Sequence, residues 1–222
     1  MKTEHLEGYG FSFKDYRETL EAYKSAGYAV TGFSQYLQSP NSKHLIIRHD
    51  CDSSVIQALR IAELDADAGC TSTFFVRVHA VGYNLLSLAS LQAIREIENL
   101  GHDVELHLEG GIPEVLGDSM DTWADRQRSV FEAAIGRPPR GFSSHEPARM
   151  GNISYADELL GRWKLQYHAY EARFTSPEIK YLSDSSASWR EGHFRLWIDR
   201  EPVIQVLTHP IWWFDKIPQE NY

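Results

Sequence analysis

The sequence predicts an α/β protein, a (β/α) barrel with about seven parallel strands. Short apolar runs alternate with helical patterns from residue 45 onward, which implies a parallel sheet or barrel. Ionisable residues follow several of those runs, as side chains do where strand ends converge on one face of a barrel. No glycine-rich phosphate loop follows the first run, which puts a closed or nearly closed barrel ahead of an open doubly wound sheet.

Each element has its own signal. Ser12 caps a helix over residues 13–26; Tyr16, Leu20 and Tyr23 fall at helical spacing and Gly27 ends it. Residues 33–37 form a short helical turn. Residues 1–43 read as a helical leader covering the bottom or side of the barrel. Leu45-Ile46-Ile47 is a buried strand, 45–49, that delivers His49, Asp50 and Asp52 to the ligand face. A helix over 54–68 carries Val55, Leu59, Ile61, Ala62 and Leu64 and stops at Gly69. Strand 72–78 follows, then a helix over 86–100 through Leu88, Leu91, Ile94 and Ile97, which Gly101 stops. Strand 103–107 ends on His107. A helix covers 120–135, and a short strand, 141–144, leads to His145. A helix over 153–161 precedes strands 165–168, 179–183 and 203–208, the last ending before His209. With no internal repeat and no low-complexity linker, residues 1–222 read as one domain.

Composition narrows the partners. The 222 residues are 42% hydrophobic, enough for one sizeable core. A net charge of -9 with no basic patch argues against a nucleic-acid partner. Cys51 and Cys70 are the two cysteines, and no CxxC occurs, so a reducing compartment is the simpler expectation. Met1–Gly10 has no apolar signal segment, and no run approaches 18 apolar residues. The expectation is a soluble, cytoplasmic protein with no membrane span.

The chemistry lies in polar residues at strand ends. Asp50 and Asp52, two apart on an extended chain, point the same way. Alone they read equally well as turn-forming aspartates. A lone histidine is more often a hydrogen-bonded core or surface group than a ligand. That reading covers His5, His44, His168 and His193; His102, ahead of its strand, is structural, and His79 is intermediate. His107, His145 and His209 differ because they occur together at strand carboxyl ends. Two or three of Asp52, His107 and His145 form a candidate divalent metal site with an open position, and the Asp/His donor set suits Zn²⁺ and similar ions. Asp184 follows the strand Lys180-Tyr181-Leu182-Ser183. Trp189, Trp197, Trp212, Trp213 and Phe214 crowd the late chain. Core packing accounts for Trp197, whereas Trp212 and Trp213, close after His209, are candidates to touch substrate.

These residues resemble the polysaccharide deacetylases, the nodulation-factor deacetylase-like group of carbohydrate esterase family four. Arg48-His49-Asp50-Cys51-Asp52 is similar to the family's first motif, with one residue between the aspartates. Ala66 to Phe75, through Gly69 and Thr73-Phe74-Phe75, is similar to the segment that carries the second strand. Gly101-His102-Asp103-Val104-Glu105-Leu106-His107 resembles the second motif, and Leu207-Thr208-His209-Pro210 the last. The resemblance spans about residues 44–213. It implies a distorted (β/α) barrel, a divalent metal cofactor and hydrolysis of an N-acetyl group. By the same resemblance Asp50 is the general base, Asp52 and His107 are metal ligands, and His209 is the general acid. Metal-activated water would attack the amide carbonyl. Asp184 would orient His209 or hold a sugar hydroxyl. The family's second motif carries another histidine four residues after the first, and here that position is Gly111. His145 is the preferred replacement, near where the family's arginine-x-proline motif is expected and just downstream of Arg137-Pro138-Pro139. Glu109, two residues beyond His107, is the other candidate and is also placed among the substrate contacts. Glu146, Arg149 and Asn152 are further candidates to read the substrate.

The reading is a metal-dependent N-deacetylase acting on an N-acetylated sugar or glycan, with a nucleotide- or lipid-linked intermediate fitting the expected cytoplasmic setting. The alternatives are hydrolysis of another C–N amide, a ureide or cyclic imide, and a catalytically degenerate barrel that binds glycan.

Overall fold

The computed structural model describes residues 10–40, 42–110, 116–147 and 153–215. The elements in order are α1 (Phe13–Ser25), β1 (Ala29–Thr31), α2 (Phe33–Gln38), β2 (His44–Cys51), α3 (Val55–Asp67), β3 (Thr73–Val76), α4 (Leu88–Asn99) and β4 (Asp103–Glu109). Then come α5 (Met120–Ile135), β5 (Gly141–His145), α6 (Ile153–Trp163), β6 (Tyr167–His168), α7 (Ala172–Thr175), β7 (Lys180–Ser183) and β8 (Val203–Thr208). Gly111, Arg149 and Asn152, singled out in the sequence, lie outside the described residues.

The strands form one parallel sheet in the order β6-β5-β4-β3-β2-β8-β7, seven strands curled into a distorted half-barrel. An eighth, β1, is a strand that the sequence did not disclose. Its three residues pair with His44, Leu45 and Ile46 at the start of β2, while β3 pairs with β2 only from Arg48 onward. Two short strands thus share one edge of β2. Gly32 makes the handover possible: a Cβ there would lie 2.5 Å from Thr73 Oγ1 and 2.8 Å from the Ser72 carbonyl carbon. Among the described residues no pairing joins β6 to β7, so the barrel has an open seam there.

β2 is buried at all eight positions because both of its faces are covered. Leu45, Ile47 and Cys51 pack outward with the helices, together with Ile61 of α3 and Ile94 of α4. Ile46 points inward, with Phe33, Phe75, Tyr167 and Phe174. The helices start on serine caps: Ser12, Ser54, Ser87 and Ser119 each accept a hydrogen bond from the backbone N–H three residues on. Gly69 and Gly101 follow α3 and α4 at φ +65° and +93°, the left-handed geometry that lets a chain turn sharply out of a helix. The opening helix, α1, buries Tyr16, Leu20 and Tyr23 in the main core. Among the described residues, no helix is long and apolar enough to cross a membrane.

Candidate metal centre

The strand register brings the chemistry to one end of the barrel. His107 lies opposite Ser143, and Glu109 opposite His145, across β4 and β5. Asp50 lies near the end of β2 and Asp52 just past it; Asp184 directly follows β7 and His209 directly follows β8. Asp50, Asp52, His107, His145, His209 and Trp212 line one cavity of about 690 Å³.

Asp52, His107 and His145 present one donor atom each, all within 4.8 Å of one another. His107 Nε2 is 3.2 Å and His145 Nε2 3.6 Å from Asp52 Oδ1. Donors about 2.0–2.2 Å from a tetrahedral ion stand about 3.3–3.6 Å apart, so these separations fit a shared ion. The ring orientations fit too. His107 Nδ1 lies 3.1 Å from the Ser143 carbonyl oxygen, which can only accept, so the proton sits on Nδ1 and the Nε2 lone pair is available. His145 Nδ1 lies 2.8 Å from Glu109 Oε2, with the same consequence. Asp52 Oδ1 is a buried carboxylate oxygen with no hydrogen-bond partner. An orphaned anionic acceptor between two free imidazole lone pairs is what a divalent cation would satisfy.

Asp50 is bound from within its own strand. Arg48, fully buried two residues earlier on the same strand face, donates from Nε to Oδ1 at 2.8 Å and from Nη2 to Oδ2 at 2.7 Å. The guanidinium also donates to Ser143 Oγ and to Tyr170 O–H, and lies over the Tyr170 ring at 4.5 Å. Burial disfavours the Asp50 charge, yet the Arg48 charge beside it wins and keeps the carboxyl well below its ordinary range. Asp50 Oδ2 is 3.4 Å from His107 Nε2. Sequence reasoning gave Arg48 no role. The available signal was a charged residue inside a buried strand, two positions from a site aspartate.

His209 closes the site on the β8 side. Its Nδ1 lies 2.6 Å from Asp184 Oδ1, and its Nε2 lies 3.7 Å from Asp52 Oδ2. Asp184 is fully buried and also accepts from the His209 backbone N–H at 3.0 Å and from Trp213 Nε1 at 3.0 Å. Burial works against an imidazolium at His209, but the Asp184 bond and charge outweigh it and raise the pKa above the ordinary histidine value. Asp184 therefore orients His209 and is too buried to hold a sugar hydroxyl.

Several expectations need correction. Trp213 does not touch the cavity; it is fully buried, with its ring edge-on to Phe11 and Tyr16 and its N–H on Asp184. Trp212 does line the cavity. Glu109 is not a substrate contact: its carboxylate is buried and taken up by Arg77, the Gly110 N–H and His145. Arg137, of Arg137-Pro138-Pro139, bonds Glu98 and the Val104 carbonyl near the opening end of β4, away from the site. His49 faces the helices, between Thr208 Oγ1 at 2.6 Å and Asp65 Oδ2 at 2.9 Å. His102, as expected, is structural, with Ser72 and the Ala62 carbonyl as partners. Glu146 lines the cavity beside His145.

No protein-family model and no curated protein matches this sequence. Solved structures do. A CE4 family pseudoenzyme from Bacillus anthracis matches with a TM-score of 0.52 at 15% identity, over 78% of this chain and 56% of that one. A CE4 esterase from Streptococcus mutans matches with a TM-score of 0.51 at 14% identity, over 97% of this chain and 83% of that one. The peptidoglycan deacetylase PdaC from Bacillus subtilis matches with a TM-score of 0.51 at 15% identity, over 78% of each chain. The alignment thus spans little more than half of the Bacillus anthracis protein. The chain has the fold of the CE4 polysaccharide deacetylases. That fold is shared by proteins described as deacetylases and by one described as a pseudoenzyme.

Proposed function

We propose that this protein is a metal-dependent hydrolase that removes the acetyl group from an N-acetylated sugar. The observation that carries the proposal is the partnerless Asp52 Oδ1 facing the Nε2 atoms of His107 and His145, with Asp50 and His209 at its border. Asp52, His107 and His145 would hold the ion, and a donor set of two imidazoles and one carboxylate favours Zn²⁺. When bound, such an ion acidifies a water and polarises the substrate carbonyl.

The chain's own groups supply the proton transfers. Asp50 is ionised throughout the neutral range, so it is always ready to accept a proton from the attacking water. A carboxylate held below its ordinary range is a weak base, so it can serve only where a bound ion has already acidified the water. Its orientation is fixed by the two bonds from Arg48. His209 donates from Nε2 to the departing nitrogen as the C–N bond breaks, releasing acetate and the free amine. With Nδ1–H committed to Asp184, Nε2 is the nitrogen left to face the cavity. Trp212 offers an apolar wall for a sugar ring. A nucleotide- or lipid-linked N-acetylated sugar in the cytoplasm is the substrate class we propose.

A second reading, a barrel that binds glycan without turnover, is favoured by Gly111 in place of a histidine and by the fold shared with a pseudoenzyme. Acetate release from N-acetylglucosamine oligomers by the zinc-loaded protein separates the two. The hydrolase reading expects release that Asp50→Asn abolishes while zinc is retained. Zinc binding with no release from N-acetylated sugars would favour the second reading.

A further inference from the structure

Glu109 ends β4 beside the metal centre, and its surroundings fix it on every side. Its backbone N–H donates to Gln127 Oε1 at 2.8 Å, and its carbonyl accepts from Gln127 Nε2 and Trp123 Nε1, each at 2.9 Å. Its Oε1 accepts from the Gly110 N–H at 3.1 Å. Its Oε2 accepts from Arg77 Nη2 at 2.6 Å and from His145 Nδ1 at 2.8 Å. Arg77 is anchored in turn. Its backbone N–H donates at 2.8 Å to the Tyr83 hydroxyl, which donates at 2.8 Å to the Cys51 carbonyl, between Asp50 and Asp52. One chain of bonds therefore runs from the strand bearing the aspartates to the ring of His145.

We propose that Glu109, held by Arg77, is the positioning residue that turns His145 into a metal ligand in this chain. The inference rests on the metal-centre reading above. An ionised carboxylate only accepts, so the His145 proton is placed on Nδ1 and the Nε2 lone pair is left toward Asp52. His107 obtains the same restraint from a backbone carbonyl, which no side-chain substitution removes. His145 obtains it from a side chain. Its side chain is 16% exposed, so without Glu109 water and either tautomer would compete for the ring. The sequence has Gly111 where the resembled family carries its second histidine. A ligand supplied instead from the neighbouring strand requires this support.

The test uses the whole chain, first metal-free and then titrated with zinc. In ¹⁵N-histidine spectra of the metal-free protein, recorded at alkaline pH where the ring is neutral and with His145→Gln providing the assignment, His145 should be a single Nδ1–H tautomer. Glu109→Ala should give mixed tautomers, and Glu109→Gln, whose amide oxygen still accepts, should restore Nδ1–H. Zinc affinity measured by chelator competition should fall about 10–100-fold in Glu109→Ala and less in Glu109→Gln. Arg77→Met should move both readouts in the direction of Glu109→Ala. An unchanged tautomer together with unchanged zinc affinity in Glu109→Ala would overturn the assignment. Should Glu109→Ala fail to fold, Arg77→Met and Glu109→Gln decide by the same two readouts. If the wild type binds no zinc, the metal reading fails, whereas the ring spectra still decide whether Glu109 sets the His145 tautomer.

Discussion

Replacing Arg48 with Met should destabilise the metal-free protein by about 3–5 kcal/mol near pH 8, the usual cost of removing one partner from a buried ion pair. The guanidinium is fully buried and the Asp50 side chain is only 4% exposed, at the cavity wall, so water replaces little of what the guanidinium gave the carboxylate. Both bonds to Asp50 are lost, at 2.8 and 2.7 Å, along with those to Ser143 and Tyr170. The loss should depend on pH in a defined direction. In the wild type Arg48 depresses the folded-state pKa of Asp50, so the pair's contribution is present above the unfolded value of about 3.9 and fades as pH falls through the folded value. Without Arg48, burial raises the folded-state pKa instead. The variant is then least penalised below about pH 3.9 and loses about 1.4 kcal/mol per pH unit as pH rises toward the new folded value. Urea denaturation at pH 5 and pH 8, with chelator present, measures this. Adding Asp50→Asn to Arg48→Met removes the unpaired charge and should recover much of the stability at pH 8. A loss below about 1 kcal/mol at pH 8, or a double variant no more stable than the single one, would refute the reasoning.

Asp184→Asn should lower the His209 pKa, because the charge that outweighs burial is gone. If His209 acts as the acid, the alkaline limb of kcat/KM should move to lower pH; an unmoved limb would remove His209 from that role. Trp212→Ala should raise KM for the N-acetylated sugar with little change in melting temperature. Trp213→Phe should do the reverse, keeping KM while costing about 1 kcal/mol of stability for the lost bond to Asp184. Matching KM effects in the two variants would contradict the placement of Trp213 in the core.

The alternation of elements was legible because it rests on local physics. Apolar spacing and the helix-ending Gly69 and Gly101 marked the helices around β2 to β4, and the unbroken apolar run of β2 marked a strand covered on both faces. β1 was not legible, since three residues carry no period and its pairing is decided by the close approach at Gly32. The polar strand ends stood out because aspartates and histidines recur at matching places in successive units. What they bond to was hidden. Arg48 reads as an ordinary charge until the curled sheet places Asp50, Ser143 and Tyr170 around it. Two adjacent tryptophans cannot show which one turns inward, and Asp184, distant in sequence, decides it for Trp213. Glu109 was read as a candidate ligand or substrate contact because the sequence does not show that Arg77, from a different strand end, takes up its carboxylate.

The metal content of the full chain, purified without chelator, tests the central claim most directly. Elemental analysis should find about one equivalent of zinc or a similar divalent ion in the wild type, and little in His107→Ala or His145→Ala. A wild-type protein that stays metal-free after zinc is added back, or a His145→Ala variant that keeps the full equivalent, would contradict the centre formed by Asp52, His107 and His145.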